Sequence, residues 1–369
     1  MRKAVFLSSP GLWQYGHGPQ HPMKPERLKR TFDLLTEAGA LRADNVEVVE
    51  PRIATEDELA LFHTPEYIDM TRRLSKGEQN LPAAKYGFGP GDNPIFDGMY
   101  DSEALKVGSS LLGAQRLHEG SCEVAFSYGG GLHHGGPNFA SGFCVFNDCA
   151  VAIQWLLDEG QRVAYVDIDV HHGDGVQNAF YETDKVLTIS LHQDGRTLFP
   201  GTGSTDEIGK GDGIGYCVNI PLPPLTYDEV YLRAFKEIVP PMLERFSADV
   251  LVTQLGVDTH YTDPLASLAM TTNGQQTLYE LLEGLAPKWL ALGGGGYAID
   301  VVLRSWALAF GVMSDKELPK SLPKAYRKTY GGTYLRDQQG PDLNDGVRFR
   351  VDEAVDSVIV DVKRKHKID

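Results

Sequence analysis

Cysteine is scarce and unpatterned. Cys122, Cys144, Cys149 and Cys217 are the only four in 369 residues, and no CxxC pair occurs. That excludes a disulfide framework and fits a reducing, cytoplasmic setting with structural or merely buried thiols. Long apolar runs are lacking too. Ala4-Val5-Phe6-Leu7 stops at Ser8-Ser9-Pro10, too short for a signal-peptide core, and no run approaches membrane-spanning length. Cations are in deficit, with 35 Lys and Arg against 50 Asp and Glu, a formal net charge of −15. This balance argues against phosphate-backbone binding as the main activity, and hence against a nucleic-acid partner. Internal repeats and interior linkers are absent. What remains, with 42% hydrophobic and 23% charged residues, is an ordinary globular chain long enough for a large core.

Strand and helix patterns alternate almost throughout. Strand-like runs fall at 3–8, 123–127, 163–166, 185–191, 216–220, 250–255 and 288–292. Helical runs fall at 25–38, 101–119, 147–159, 227–246, 278–285 and from about 301, with a capping box at Thr55-Glu56-Asp57-Glu58 and a further start at Thr64-Pro65. Residues 79–99 are rich in Gly and Pro and read as a long surface loop. Such alternation predicts an α/β single domain, a mostly parallel central sheet with helices on both faces. The expected organisation is a catalytic domain over 1–315 and an extension over 316–369 packed on it. That extension is basic and ends in Lys363-Arg364-Lys365-His366-Lys367, predicted to wrap the surface or close in a helix with its charges solvated.

The run Arg162-Val163-Ala164-Tyr165-Val166 ends in Asp167-Ile168-Asp169-Val170-His171-His172-Gly173-Asp174. Clustered carboxylates repel one another, and burying them unpaired is costly, so a bound cation at the strand end resolves both problems. Asp169 and His171 are two apart and project the same way from extended chain. Other predicted strands end in His133-His134, in Asp258 and in Tyr297. Ligands in open α/β sheets bind beyond the carboxyl ends of strands, so these residues are expected to converge. Asp169, His171 and Asp258 then form a two-carboxylate, one-imidazole metal site with open positions, the usual catalytic zinc arrangement. His133 and His134 become general base and acid, and Asp167 and Asp174 orient the two imidazoles. Tyr297, on four glycines, is placed to donate to an oxyanion.

Together these residues resemble the histone deacetylase family, including bacterial acetoin-utilisation deacetylase relatives, on the arginase-deacetylase fold. The resemblance runs over roughly 14–310. It rests on His21-Pro22-Met23-Lys24-Pro25, Gly130-Gly131-Leu132-His133-His134, Ala140-Ser141-Gly142-Phe143-Cys144-Val145-Phe146-Asn147-Asp148, the 169–177 segment, Phe199-Pro200-Gly201-Thr202-Gly203 and Leu292-Gly293-Gly294-Gly295-Gly296-Tyr297. The resemblance implies one Zn2+ on Asp169, His171 and Asp258 and a metal-activated water attacking an acetamide. His134 becomes the main proton shuttle, His133 a supporting electrostatic group and Tyr297 the oxyanion clamp. Phe143 and Phe199, with Gly142 beside them, would sandwich an acyl-lysine stem. Asp92 resembles a rim residue that binds substrate backbone, and Arg27 one that lines the acetate exit. K+ is implied at Asp167, Asp169, His171, Ser190 and Leu191, and a second at Phe180, Thr183, Val186 and Tyr216.

The chain departs from the pattern at Leu198, where many members have an aromatic, and at Leu265, where polyamine-specific relatives place a Glu. His260 has no role in the resemblance. The activity implied is zinc-dependent hydrolysis of an N-acyl amide, most simply acetyl-lysine, on a protein or a small acylated amine, and a homo-oligomer is compatible with it. The alternatives are an acetylpolyamine amidohydrolase, a two-manganese ureohydrolase and a non-catalytic acyl-lysine-binding pseudo-enzyme.

Overall fold

The computed structural model describes residues 1–369. In chain order the elements are β1 (Ala4–Leu7), α1 (Glu26–Glu37), β2 (Val46–Val49), α2 (Glu56–Leu59), α3 (Pro65–Ser75), α4 (Met99–His118) and β3 (Val124–Ser127). There follow α5 (Asp148–Asp158), β4 (Val163–Asp167), α6 (Asp174–Ala179), β5 (Val186–Gln193), β6 (Cys217–Leu222), α7 (Asp228–Phe246) and β7 (Val250–Gln254). The chain closes with α8 (Thr272–Leu282), β8 (Lys288–Leu292), α9 (Ile299–Met313), α10 (Lys324–Tyr330) and α11 (Asp345–His366).

The eight strands form one sheet in the order β2-β1-β3-β8-β7-β4-β5-β6. Every pairing is parallel, so the expected mostly parallel sheet is parallel throughout. Alternate residues feed opposite faces, as strand geometry requires. In β4, Ala164 and Val166 join the large core under α1, α7, α8, α9 and α11, while Val163 and Tyr165 join the core under α4 and α5. Such strands are buried on both sides, which is why they read as unbroken apolar runs.

The register explains how the chemistry is gathered. Asp167 of β4, Gln254 of β7, Leu292 of β8 and Ser127 of β3 are successive partners across the sheet. Four neighbouring strands therefore end at one level, and the loops that follow share a single edge. The direction of chain progression reverses between these strands, where doubly wound sheets open a crevice.

Some expectations need correction. Helix α8 begins at Thr272, not near 278, because Thr271 caps it: its Oγ1 accepts from Asn273 N and Gly274 N, both at 3.2 Å. Strand β2, a half-exposed edge strand, lacks the apolar run that marks the others. The 79–99 segment is not simply a surface loop, since it makes a helical turn at Ala83–Tyr86 and buries Tyr86, Phe88 and Asn93. The terminal basic run forms the last turn of α11, and Lys365 is paired with Asp206 and Asp361, each at 2.7 Å, rather than merely solvated. No helix is long and apolar enough to cross a membrane.

Candidate active site

Strand β4 delivers the acidic run. After Asp167 the chain leaves the sheet, and a ligand-capable atom from each of Asp169, His171 and Asp258 comes to lie within 4.8 Å of the others. All three residues are buried. His171 Nδ1 is 3.0 Å from Asp169 Oδ1 and 3.2 Å from Asp258 Oδ2. Asp258 Oδ2 is buried yet accepts no hydrogen bond. Two carboxylates and one imidazole with an orphaned buried oxygen fit a divalent cation, because a buried charge without a partner is otherwise costly. The electrostatics agree. Burial and the neighbouring Asp169 charge raise the Asp258 carboxyl to about 7. Burial disfavours a charged His171, but the Asp169 and Asp258 carboxylates outweigh it and lift the imidazole to about 10. A site so short of positive charge suits a metal ion.

The loop after β3 brings the histidine pair. Asp148 fixes this loop by accepting from Gly131 N at 3.0 Å and Leu132 N at 2.8 Å. His133 Nδ1 meets Asp167 Oδ2 at 2.7 Å, and Tyr165 donates its hydroxyl to the same oxygen at 2.6 Å. His134 Nδ1 meets Asp174 Oδ1 at 2.6 Å. Each ring is thus held at Nδ1 with Nε2 left for chemistry. The two rings differ electrostatically. Burial and the adjacent His133 pull His134 down to about 4. Burial acts the same way on His133, but the Asp167 and Asp169 charges outweigh it and raise it to about 9.

The glycines after β8 bring Tyr297 to the same place. Gly295 N donates to Asp169 Oδ2 at 2.8 Å, and a Cβ on Gly295 would meet Asp258 Oδ2 at 2.1 Å, so only glycine fits. Tyr297 N donates to Asp263 Oδ2 at 2.8 Å. Burial and the Asp258 and Asp169 charges raise its phenol well above 10, keeping the hydroxyl protonated. Arg27 is buried behind it, donating Nη1 to Gly296 O at 3.1 Å.

Two aromatic rings flank the mouth. Phe143 packs edge-on against Tyr297 at 5.7 Å, and Phe199 against His134 at 5.1 Å. Between them Gly142 holds a left-handed φ of +51°, and a Cβ there would meet His134 Cδ2 at 2.4 Å and Phe199 Cε1 at 3.0 Å. Outside lies a groove of about 520 Å3, lined by His17, His21, Asp92, Phe143 and Leu265 among others. Asp92 is exposed there, and its backbone oxygen is 3.2 Å from His21 Nε2.

The residues implied for potassium divide between two places. Asp167 and Ser190 are register partners on β4 and β5, beside Asp169, His171 and Leu191. Phe180, Thr183, Val186 and Tyr216 sit at the opposite ends of β5 and β6, where Thr183 N donates to Phe180 O at 3.4 Å and Thr188 N to Tyr216 O at 2.9 Å.

Sequence reasoning missed Gln254. Its Nε2 donates to Asp169 Oδ2 at 2.7 Å and to Gly131 O at 3.2 Å, while Oε1 accepts from Gly256 N at 2.7 Å. One side chain therefore ties the loops after β3, β4 and β7 together. Its signal was a polar residue closing the apolar run Val250-Leu251-Val252, in the place that Asp167 occupies on β4.

The profile of the histone deacetylase domain matches residues 21–313. The chain belongs to the histone deacetylase family. This deacetylase is 43% identical over 317 residues to the acetoin utilization protein AcuC of Bacillus subtilis (strain 168), covering 83% of this chain and 81% of that protein. It is 36% identical over 325 residues to histone deacetylase RPD3 of Saccharomyces cerevisiae, covering 86% and 74%. A crystal structure of a histone deacetylase homologue complexed with SAHA superposes with a TM-score of 0.85 at 30% identity, over 97% of this chain and all of that one. The single all-parallel sheet is thus the arginase-deacetylase fold of that family.

Proposed function

We propose that this deacetylase hydrolyses the N-acyl amide of an acylated lysine side chain, using one zinc ion held by Asp169, His171 and Asp258. The observation that carries the reading is the meeting of these three donors with two carboxylate-held imidazoles on one sheet edge. Zinc bound there supplies Lewis acidity, polarising the amide carbonyl and making water more acidic.

The remaining steps belong to the protein's own side chains. His134, pulled down by burial and free at Nε2, takes the proton from the attacking water and returns it to the leaving amine. His133, held at Nδ1 by Asp167, stabilises the developing negative charge. Asp174 and Asp167 hold the two rings in orientation. The protonated Tyr297 hydroxyl donates to the oxyanion. Phe143 and Phe199 flank the aliphatic stem, and Gly142 keeps the passage between them open. Arg27 lines the route for the released acid. At the rim Leu265 offers no charge to a polyamine, and Asp92 is placed to accept from substrate backbone N–H. Because Asp92 could instead pair with an ammonium group, acetylpolyamine hydrolysis is the second reading.

We also infer K+ at the two backbone-rich places described, a catalytic region over 1–315, and an extension over 316–369 that is integral to the same unit. Four buried, unpaired thiols support a reducing cytoplasm.

The test is turnover by zinc-loaded protein of acetyl-, propionyl- and longer acyl-lysine peptides beside acetylputrescine and acetylspermidine. Acyl-lysine peptides are expected to be preferred. Tyr297→Phe is expected to retain zinc and lose roughly 10²- to 10³-fold in turnover, the usual cost of one oxyanion donor. No turnover on any of these amides, or a fully active Tyr297→Phe enzyme, refutes the reading.

A further inference from the structure

His260 follows Asp258 by two positions, and its imidazole is buried. Its partner is distant in sequence: Nε2 lies 2.8 Å from Asp337 Oδ2. Asp337 stands beyond residue 313, where the matched family domain stops. We propose that Asp337 is a positioning residue for the loop Asp258–Leu265, acting through His260. The inference rests on the metal reading above.

Asp337 is anchored on every side. Its Oδ2 also accepts from Thr272 N at 2.8 Å and Thr272 Oγ1 at 3.0 Å, at the start of α8. Its Oδ1 accepts from Arg304 Nη1 of α9 at 2.9 Å. Its own N donates back to Thr272 Oγ1 at 2.9 Å. A carboxylate fixed to two helices is a rigid reference point, and His260 transfers that rigidity to the loop.

The loop then passes it on in two directions. Upstream, His260 N donates to Val257 O at 3.1 Å, closing the turn that contains Asp258. Downstream, Asp263 N donates to His260 O at 2.9 Å. Asp263 in turn accepts from Tyr297 N at 2.8 Å and Leu265 N at 3.0 Å. A single buried His–Asp hydrogen bond therefore sets a candidate zinc ligand, the candidate oxyanion donor and a rim residue together. Phe143 and Phe199 stand on other loops, so the pair makes no bond to the stem-binding walls and meets Phe143 only through the Tyr297 ring.

The experiment compares Asp337→Asn, His260→Leu, His260→Gln and Asp352→Asn in the full-length protein. Zinc affinity is read by competition with a chromophoric chelator, and kcat and KM are read separately. Asp352 accepts from Tyr227 at 2.7 Å and Arg233 at 3.1 Å, anchoring α11 with no bond to Asp258, His260, Asp263 or Tyr297, so its variant reports simple loss of an anchor. Asp337→Asn and His260→Leu are expected to weaken zinc affinity and lower kcat by about tenfold, with KM within about twofold, as for groups that orient metal ligands. His260→Gln, whose amide can still donate to Asp337, is expected to recover most of both. Asp352→Asn is expected to lower Tm alone.

The proposal fails if Asp337→Asn and His260→Leu behave like Asp352→Asn, losing Tm with zinc affinity unchanged. It also fails if only one of the pair affects zinc. Should the wild type turn over none of the amides, zinc affinity still decides this proposal separately from that reading. Should Asp337→Asn not fold, the two His260 variants decide it.

Discussion

The His171 imidazole and the Asp258 carboxylate approach to 3.2 Å across the ends of β4 and β7, with Asp258 Oδ2 accepting no hydrogen bond. The expected consequence is one metal ion per chain. Plasma emission spectrometry should find one zinc in the wild type and well under one in Asp258→Ala, whereas two ions would point to the ureohydrolase alternative. Stripping zinc with a chelator should lower Tm, because an ion that binds only the native state stabilises it by RT ln(1 + [L]/Kd).

Gly142 is wedged between His134 and Phe199. Gly142→Ala should destabilise the fold by about 1–2 kcal/mol for the left-handed backbone alone. The added methyl must also displace the His134 ring, so kcat/KM should fall by more than about tenfold. Thermal melts and steady-state kinetics check this. An enzyme with normal kcat/KM would remove His134 from the proton-transfer role.

Gln254 binds three loops at once. Gln254→Leu keeps the volume but strands Gly131 O and Gly256 N and leaves Asp169 Oδ2 with only the bond from Gly295 N. Zinc affinity should weaken by roughly 10- to 100-fold, and chelator competition measures it.

Asp337 also gives stability a pH signature. Burial alone would raise its carboxyl, but the bonds from His260 and Thr272 and the charge of Arg304 outweigh it and hold the folded value below the ordinary range. A lowered folded value stabilises the protein above the unfolded value of about 3.9, and that contribution is lost as pH falls through the folded value. Urea midpoints should therefore separate wild type from Asp337→Asn at pH 7 and draw together at about pH 3. An equal gap at both values would contradict the assignment.

Much of the architecture was legible because two-sided burial writes itself into sequence. Strands β4, β7 and β8 are continuous apolar runs, and the polar residues that interrupt them, Asp167 and the segments bearing Asp258 and Tyr297, mark where they leave the sheet. Strand β2 was not legible, since a half-exposed edge strand has weak patterning. Nor was the strand order, or the in-register alignment of Asp167, Gln254 and Leu292, because pairing between distant segments leaves no local period. His260 illustrates the limit most plainly: its partner lies 77 residues away. The neighbours that make His134 and His133 electrostatically opposite are likewise products of the fold, not of their adjacency.

An all-parallel sheet has two unlike rims. Every catalytic candidate stands where strands finish, while the turns at Gly120, Gly160 and Gly284 sit just before strands begin. Those turns carry left-handed glycines with open space around them and lie across the full length of the strands from the chemistry. Affinity tags, reporter insertions or surface immobilisation at that rim should leave the working face unobstructed, giving a natural handle for attaching this enzyme to a support.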